Sequence, residues 1–129
     1  MDRVFVYGTL MRGFDHAMSK RLSAGANYLG DATCRGRLYM IAHYPGLLLS
    51  DDDGDVVHGE VFRLRDAALM AALDDYEGCG PHDAKPTAYL RQVIPVTMAD
   101  GTALDAWTYV YNWPVIETKR IASGRFLDV

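Results

Sequence analysis

Three groups of residues in this 129-residue chain are of types that do chemistry. The first is Gly8, Thr9 and Leu10, which follow Tyr7 at the end of an apolar run. A glycine turn after a strand exposes successive backbone N–H groups, and such a nest binds a carboxylate or an oxyanion. An ordinary strand end carries the same signature. The further glycines and the lysine of a phosphate-binding loop are absent.

The second is Glu77, which precedes Gly78 at the end of a helical pattern. The helix dipole is negative there, so a carboxylate is disfavoured and its pKa is pushed upward. An acid held against its local preference, beside Leu73 and Tyr76, suits a general acid or base. A solvated surface glutamate is the alternative reading. The third group is Tyr89 with Arg91, which point to one face of a strand. A tight hairpin over Ala99-Asp100-Gly101, pairing Met98 with Thr102, sets Tyr111 opposite Tyr89 and Tyr109 opposite Arg91. Three phenol hydroxyls and a guanidinium then share a surface fit for an anionic substrate. An aromatic ladder with a stacked arginine fits the same pattern.

Other sets are less complete. Asp51, Asp53 and Asp55 alternate as in a calcium loop, but the glycine is misplaced and Phe62 stands where the closing glutamate belongs. The segment reads as a solvated turn. Cys79 and His82 share a loop without an orienting partner, which leaves a thiol nucleophile as a minor alternative. His16, His43, His58 and His82 show no zinc spacing. Glu60 lies mid-strand, and its face is left open.

These residues need elements to hold them. Arg3–Tyr7 reads as a first strand. Asp15–Ala24 reads as a helix capped by Asp15 and stopped by Gly25. Tyr28–Ile41 contains two β pieces broken at Gly36, and Tyr44–Gly46 is a turn. Leu47–Leu64 looks like a hairpin turning over Asp51–Asp55. Asp66 caps a helix whose Leu69, Leu73 and Tyr76 make one apolar stripe, with Gly78 as its stop. A second hairpin joins 88–98 to 102–112, and Pro95 argues for an edge or a bulge in its first arm. The expectation is one α+β domain, 1–129, with a curled, mostly antiparallel sheet.

Half of the residues are apolar, which is globular composition. Lys plus Arg number 13 against 17 Asp plus Glu, a net charge of −4 with no basic cluster. Nucleic acid and anionic membranes are disfavoured as partners. There are two cysteines, no signal-peptide pattern and no apolar run of spanning length. A reduced, cytoplasmic protein is expected.

Taken together, "VFVYGTLMRG", "GRLYMIAHYPGLL", "VHGEVFRL", "LDDYEG", "AYLRQVIPV" and "AWTYVY" occur in an order that closely resembles the gamma-glutamylcyclotransferase-like family. The resembling branch includes AIG2-like proteins and gamma-glutamylamine cyclotransferase. The resemblance runs from Val4 to about Tyr111. It implies a small mixed β-barrel with short packed helices and a cavity at the end of the first strand. It implies substrate binding by Tyr7, Gly8, Thr9 and Leu10, a catalytic Glu77, and Tyr89 with Arg91 beside it. The Tyr44–Gly46 turn also matches a segment near the pocket. The implied chemistry is intramolecular: an α-amine attacks its own γ-carbonyl and releases 5-oxoproline and a free amine, with no metal or cofactor. A non-catalytic small-molecule binding module on the same scaffold is the rival expectation.

Overall fold

The computed structural model describes residues 1–128. Its elements are β1 (Arg3–Val6), α1 (Ala17–Gly25), β2 (Ala26–Met40), β3 (Pro45–Leu49), β4 (Val56–Leu64), α2 (Ala67–Tyr76), β5 (Tyr89–Met98), β6 (Ala103–Tyr111) and a short β7 (Arg120–Ile121). The strands run in the order β1-β4-β2-β3-β6-β5, and β1 also pairs with β6. That pairing closes a five-strand barrel of β1, β4, β2, β3 and β6. The β1–β6 and β3–β6 pairs are parallel and the others antiparallel, so the barrel is mixed. No helix among the described residues is long and apolar enough to cross a membrane.

The first strand closes the barrel. Val4, Phe5 and Val6 are buried between β4 and β6, which is why the run is continuously apolar. The chain then leaves the barrel at Tyr7. Glu60 fixes the departing loop: its carboxylate accepts the Arg12 backbone N–H at 2.8 Å.

The second hairpin forms in the expected register. Tyr89 pairs with Tyr111, Arg91 with Tyr109, and Pro95 with Asp105. Pro95 lies on the exposed outer strand, where β5 meets β2 only at Thr97 and Met98.

Several expectations are corrected. Leu47–Leu64 is not a hairpin, because β2 lies between β3 and β4. The Asp55 carboxylate explains the separation. It accepts from Arg37 of β2 at 2.7 Å, Ser50 at 2.8 Å and Arg120 at 2.9 Å, which ties the loop to distant segments. The Arg37 and Ser50 bonds pull its pKa down to about 2.

Gly36 does not break β2. The strand is continuous there and changes partner, from β4 through Arg35 to β3 from Gly36 onward. A Cβ on Gly36 would lie 2.7 Å from Leu47 Cδ1, so the crossing needs glycine. The cap of α1 is His16 rather than Asp15. His16 Nδ1 accepts the Met18 N–H at 3.1 Å, while Asp15 pairs with Lys20 at the surface.

The helix α2 starts as expected, with the Asp66 carboxylate accepting the Leu69 N–H at 2.9 Å. Leu69 and Leu73 enter the core. Tyr76, expected in the same stripe, is exposed on the last turn.

Candidate active site

A cavity of about 740 Å³ opens where β1 ends. Its lining includes the departing loop, Tyr7 to Leu10, and the end of α2, Tyr76 to Gly78. The segment 83–88, Tyr89, Tyr109, His43, Tyr44, Pro45 and Trp113 line it as well. Six of the seven expected site residues therefore meet here: Tyr7, Gly8, Thr9, Leu10, Glu77 and Tyr89.

Glu77 caps the C-terminus of α2, and its N–H donates to the Leu73 carbonyl at 2.9 Å. Gly78 follows with φ +71°, which turns the chain away. The side chain has no hydrogen-bond or ion-pair partner among the described residues. Burial raises its pKa from 4.5 to about 7. Desolvation is the cause, where the sequence pointed to the helix dipole. A carboxyl poised near neutrality takes up and returns a proton with little cost in either direction.

The loop after β1 presents donors. Gly8 carbonyl accepts the Met11 N–H at 3.1 Å and shapes the turn. No acceptor among the described residues takes the N–H groups of Gly8, Thr9 or Leu10. Gly8 is fixed sterically, since a Cβ would lie 2.8 Å from Pro45 Cγ.

The tyrosines are largely committed. Tyr7 donates its hydroxyl to the Tyr109 carbonyl, and Tyr89 donates to the Pro45 carbonyl at 2.6 Å. Burial first, and the Glu77 charge second, push both phenols above their ordinary value. They stay protonated at neutral pH, and they shape the pocket and stiffen its backbone. The Tyr89 ring meets Tyr111 edge-on at 5.3 Å and Tyr44 at 6.4 Å, which gives the cavity an aromatic wall.

Arg91 does not line the cavity. Its guanidinium binds Asp74 at 2.8 Å and stacks 4.3 Å over Trp107. Tyr109 donates to the same Asp74 oxygen at 2.7 Å. The shared face of Arg91 and the tyrosines was legible in the hairpin register, but its acid partner was not. Sequence reasoning also missed His16 and Tyr76 as cavity residues. Tyr76 carried a signal: it sits at the last turn of its stripe, where the helix runs past the core.

The class these features define is a small mixed β-barrel with an open cavity, an isolated acid and a donor loop. Residues 4–128 match the family described as "Gamma-glutamyl cyclotransferase, AIG2-like", and the chain belongs to that family. Among curated relatives, "Gamma-glutamylcyclotransferase family protein YtfP" of Escherichia coli K12 is 37% identical over 129 residues, covering 98% of this chain and 96% of that protein. Human "Gamma-glutamylaminecyclotransferase" is 32% identical over 113 residues, covering 80% of this chain and 67% of the human one. A crystal structure of an AIG2-like protein from Mus musculus shares the fold, with a TM-score of 0.72 at 24% identity, covering 92% of this chain and 82% of that one.

Proposed function

We propose that the cavity cyclises a γ-glutamyl compound, releasing 5-oxoproline and a free amine. The observation that carries this reading is the unpartnered Glu77 carboxyl, raised to about 7 by burial and lining the same cavity as the Gly8–Leu10 loop. Family membership supports a gamma-glutamyl cyclotransferase role in general.

The step is an internal acyl transfer. The substrate α-amine forms a bond to its own γ-carbonyl carbon, and the γ-amide C–N bond breaks. Glu77, as the carboxylate, takes a proton from the attacking nitrogen. As the acid, it returns that proton to the departing amine. The N–H groups of Gly8, Thr9 and Leu10 face the substrate's anionic oxygens. One such donor contributes roughly 3 kcal/mol to an acyl-transfer transition state. Tyr7 and Tyr89 hold the pocket's shape, and folding the substrate so that amine and carbonyl meet is an orientation effect. Arg91 acts at one remove, through Asp74.

The chemistry proposed needs no metal or cofactor. A reducing, cytoplasmic setting suits the two free thiols, Cys34 and Cys79. The deciding experiment incubates the protein with a panel of γ-glutamylamines, γ-glutamyl amino acids and glutathione, and measures 5-oxoproline. Release by the native chain, abolished in a folded Glu77→Gln variant, is the expected result. Binding without product across the panel would instead make this a ligand-binding module.

A further inference from the structure

Three side chains on the cavity wall form a hydrogen-bonded row to which the chemistry above gives no part. His16 heads α1, Tyr76 ends α2, and Thr9 lies on the loop after β1. Tyr76 Oη is 3.0 Å from Thr9 Oγ1 and 3.4 Å from His16 Nε2. The His16 and Tyr76 rings meet edge-on at 5.1 Å.

The direction of the His16–Tyr76 bond follows from the helix cap. The Met18 backbone N–H points at His16 Nδ1 at 3.1 Å. A backbone N–H only donates, so Nδ1 carries a lone pair and the neutral ring holds its proton on Nε2. Nε2–H then donates to the Tyr76 oxygen. The Tyr76 oxygen keeps a second lone pair, so the helix cap leaves its bond to Thr9 Oγ1 open in either direction. With Tyr76 as the donor, the Thr9 hydroxyl proton is left over, with no acceptor among the described residues. Reversing the His16–Tyr76 bond would put a proton on Nδ1, donor against donor at the Met18 N–H.

We propose that the Thr9 hydroxyl is a ligand-contacting donor, and that His16 and Tyr76 are positioning residues that fix where its proton points. The acceptor is an anionic ligand oxygen, shared with the free N–H groups of the same loop. This deepens the γ-glutamyl reading and rests on it only for the ligand's identity. Two neighbouring segments of the chain and a third sixty residues further on thus set one proton.

Two measurements test it. Nitrogen NMR of the neutral His16 ring, with signals assigned through His16→Gln, should show the proton on Nε2. A proton on Nδ1 overturns the proposal. Calorimetry with 5-oxoproline then compares the native chain, Thr9→Val, Tyr76→Phe and the double variant. Each substitution keeps the side chain's shape.

Loss of the Thr9 donor should weaken binding about tenfold, and Thr9→Ser should retain it. Tyr76→Phe should weaken binding in the native background and add nothing in Thr9→Val. No effect of Tyr76→Phe, or an equal effect in both backgrounds, overturns the proposal. If the native chain binds no 5-oxoproline, the γ-glutamyl reading and the ligand contact fall together, whereas native binding that Thr9→Val leaves unchanged overturns the contact alone.

Discussion

Asp74 and Arg91 form a 2.8 Å ion pair that ties the last turn of α2 to β5, three residues before Glu77. Both side chains are mostly shielded, at 16% and 28% exposure, so the pair is worth more than an open surface bridge. The Tyr109 hydroxyl joins at the same oxygen, and Trp107 stacks on the guanidinium. The acid is thereby braced against two strands.

Removing the brace should therefore be felt in both stability and turnover. Asp74→Ala leaves a guanidinium and a buried phenol without their acceptor and should cost about 1–3 kcal/mol. Urea denaturation measures it. Arg91→Leu and Asp74→Asn should show a coupling of about 1 kcal/mol in a double-mutant cycle. Independent, additive effects would mean that the two residues do not act as one brace.

Glu77 should leave a signature in the pH dependence of stability. Its folded pKa, about 7, exceeds its ordinary 4.5, so between these values the folded chain holds more proton than the unfolded one. Stability then falls as pH rises through that window. The full penalty above pH 7 is on the order of 3 kcal/mol at most. Glu77→Gln removes it. The variant should be more stable than the native chain at pH 8 and nearly equal at pH 4, by thermal denaturation at both. In the proposed cyclisation the carboxylate is the base, so kcat/KM should climb with pH toward an apparent pKa near 7. A native chain whose stability does not fall across this window contradicts the buried acid.

The loop–strand contact at Gly8 predicts a paired effect. A methyl group on Gly8 would overlap the Pro45 ring at 2.8–2.9 Å, and the Pro45 carbonyl holds the Tyr89 hydroxyl. Gly8→Ala should destabilise by about 1–3 kcal/mol through overpacking and should weaken binding in the cavity. Pro45→Ala removes the obstructing ring atoms. In that background Gly8→Ala should cost far less, as melting temperatures would show. Equal costs in both backgrounds would place the strain elsewhere.

The legible parts of this chain are those set by local rules. The β5–β6 register followed from one turn and strict alternation, and the Asp66 cap from its place before Leu69. The β3–β4 separation did not follow from local rules. It depends on Asp55 meeting Arg37 and Arg120, which are remote in sequence. Asp74 was hidden for the same reason, since its value lies in partners on β5 and β6. His16 was hidden by a stronger local competitor, as Asp15 is the better capping type but stands one residue too early. Gly8, Thr9, Leu10 and Glu77 were weak signals one by one. The family resemblance joined them across the chain, and the cavity brings them together.

The thiol alternative makes its own prediction. Cys79 lies two residues beyond Glu77, half-buried and outside the cavity lining. Burial, then the charges of Asp74 and Glu77, push its pKa up to about 11. At pH 7 only about one molecule in ten thousand then carries the thiolate, which is the form that attacks a carbonyl. Nucleophilic cysteines are instead held low, beside a cation or a helix N-terminus. Cys79 sits past a helix C-terminus among acids, where every neighbouring charge but Arg91 opposes ionisation. Cys79→Ser should therefore retain 5-oxoproline release within about twofold, as expected for an isosteric change away from the reacting groups. Iodoacetamide should label the native thiol slowly at neutral pH. Loss of turnover in Cys79→Ser, in a variant that still melts like the native chain, would move the chemistry from Glu77 to the thiol.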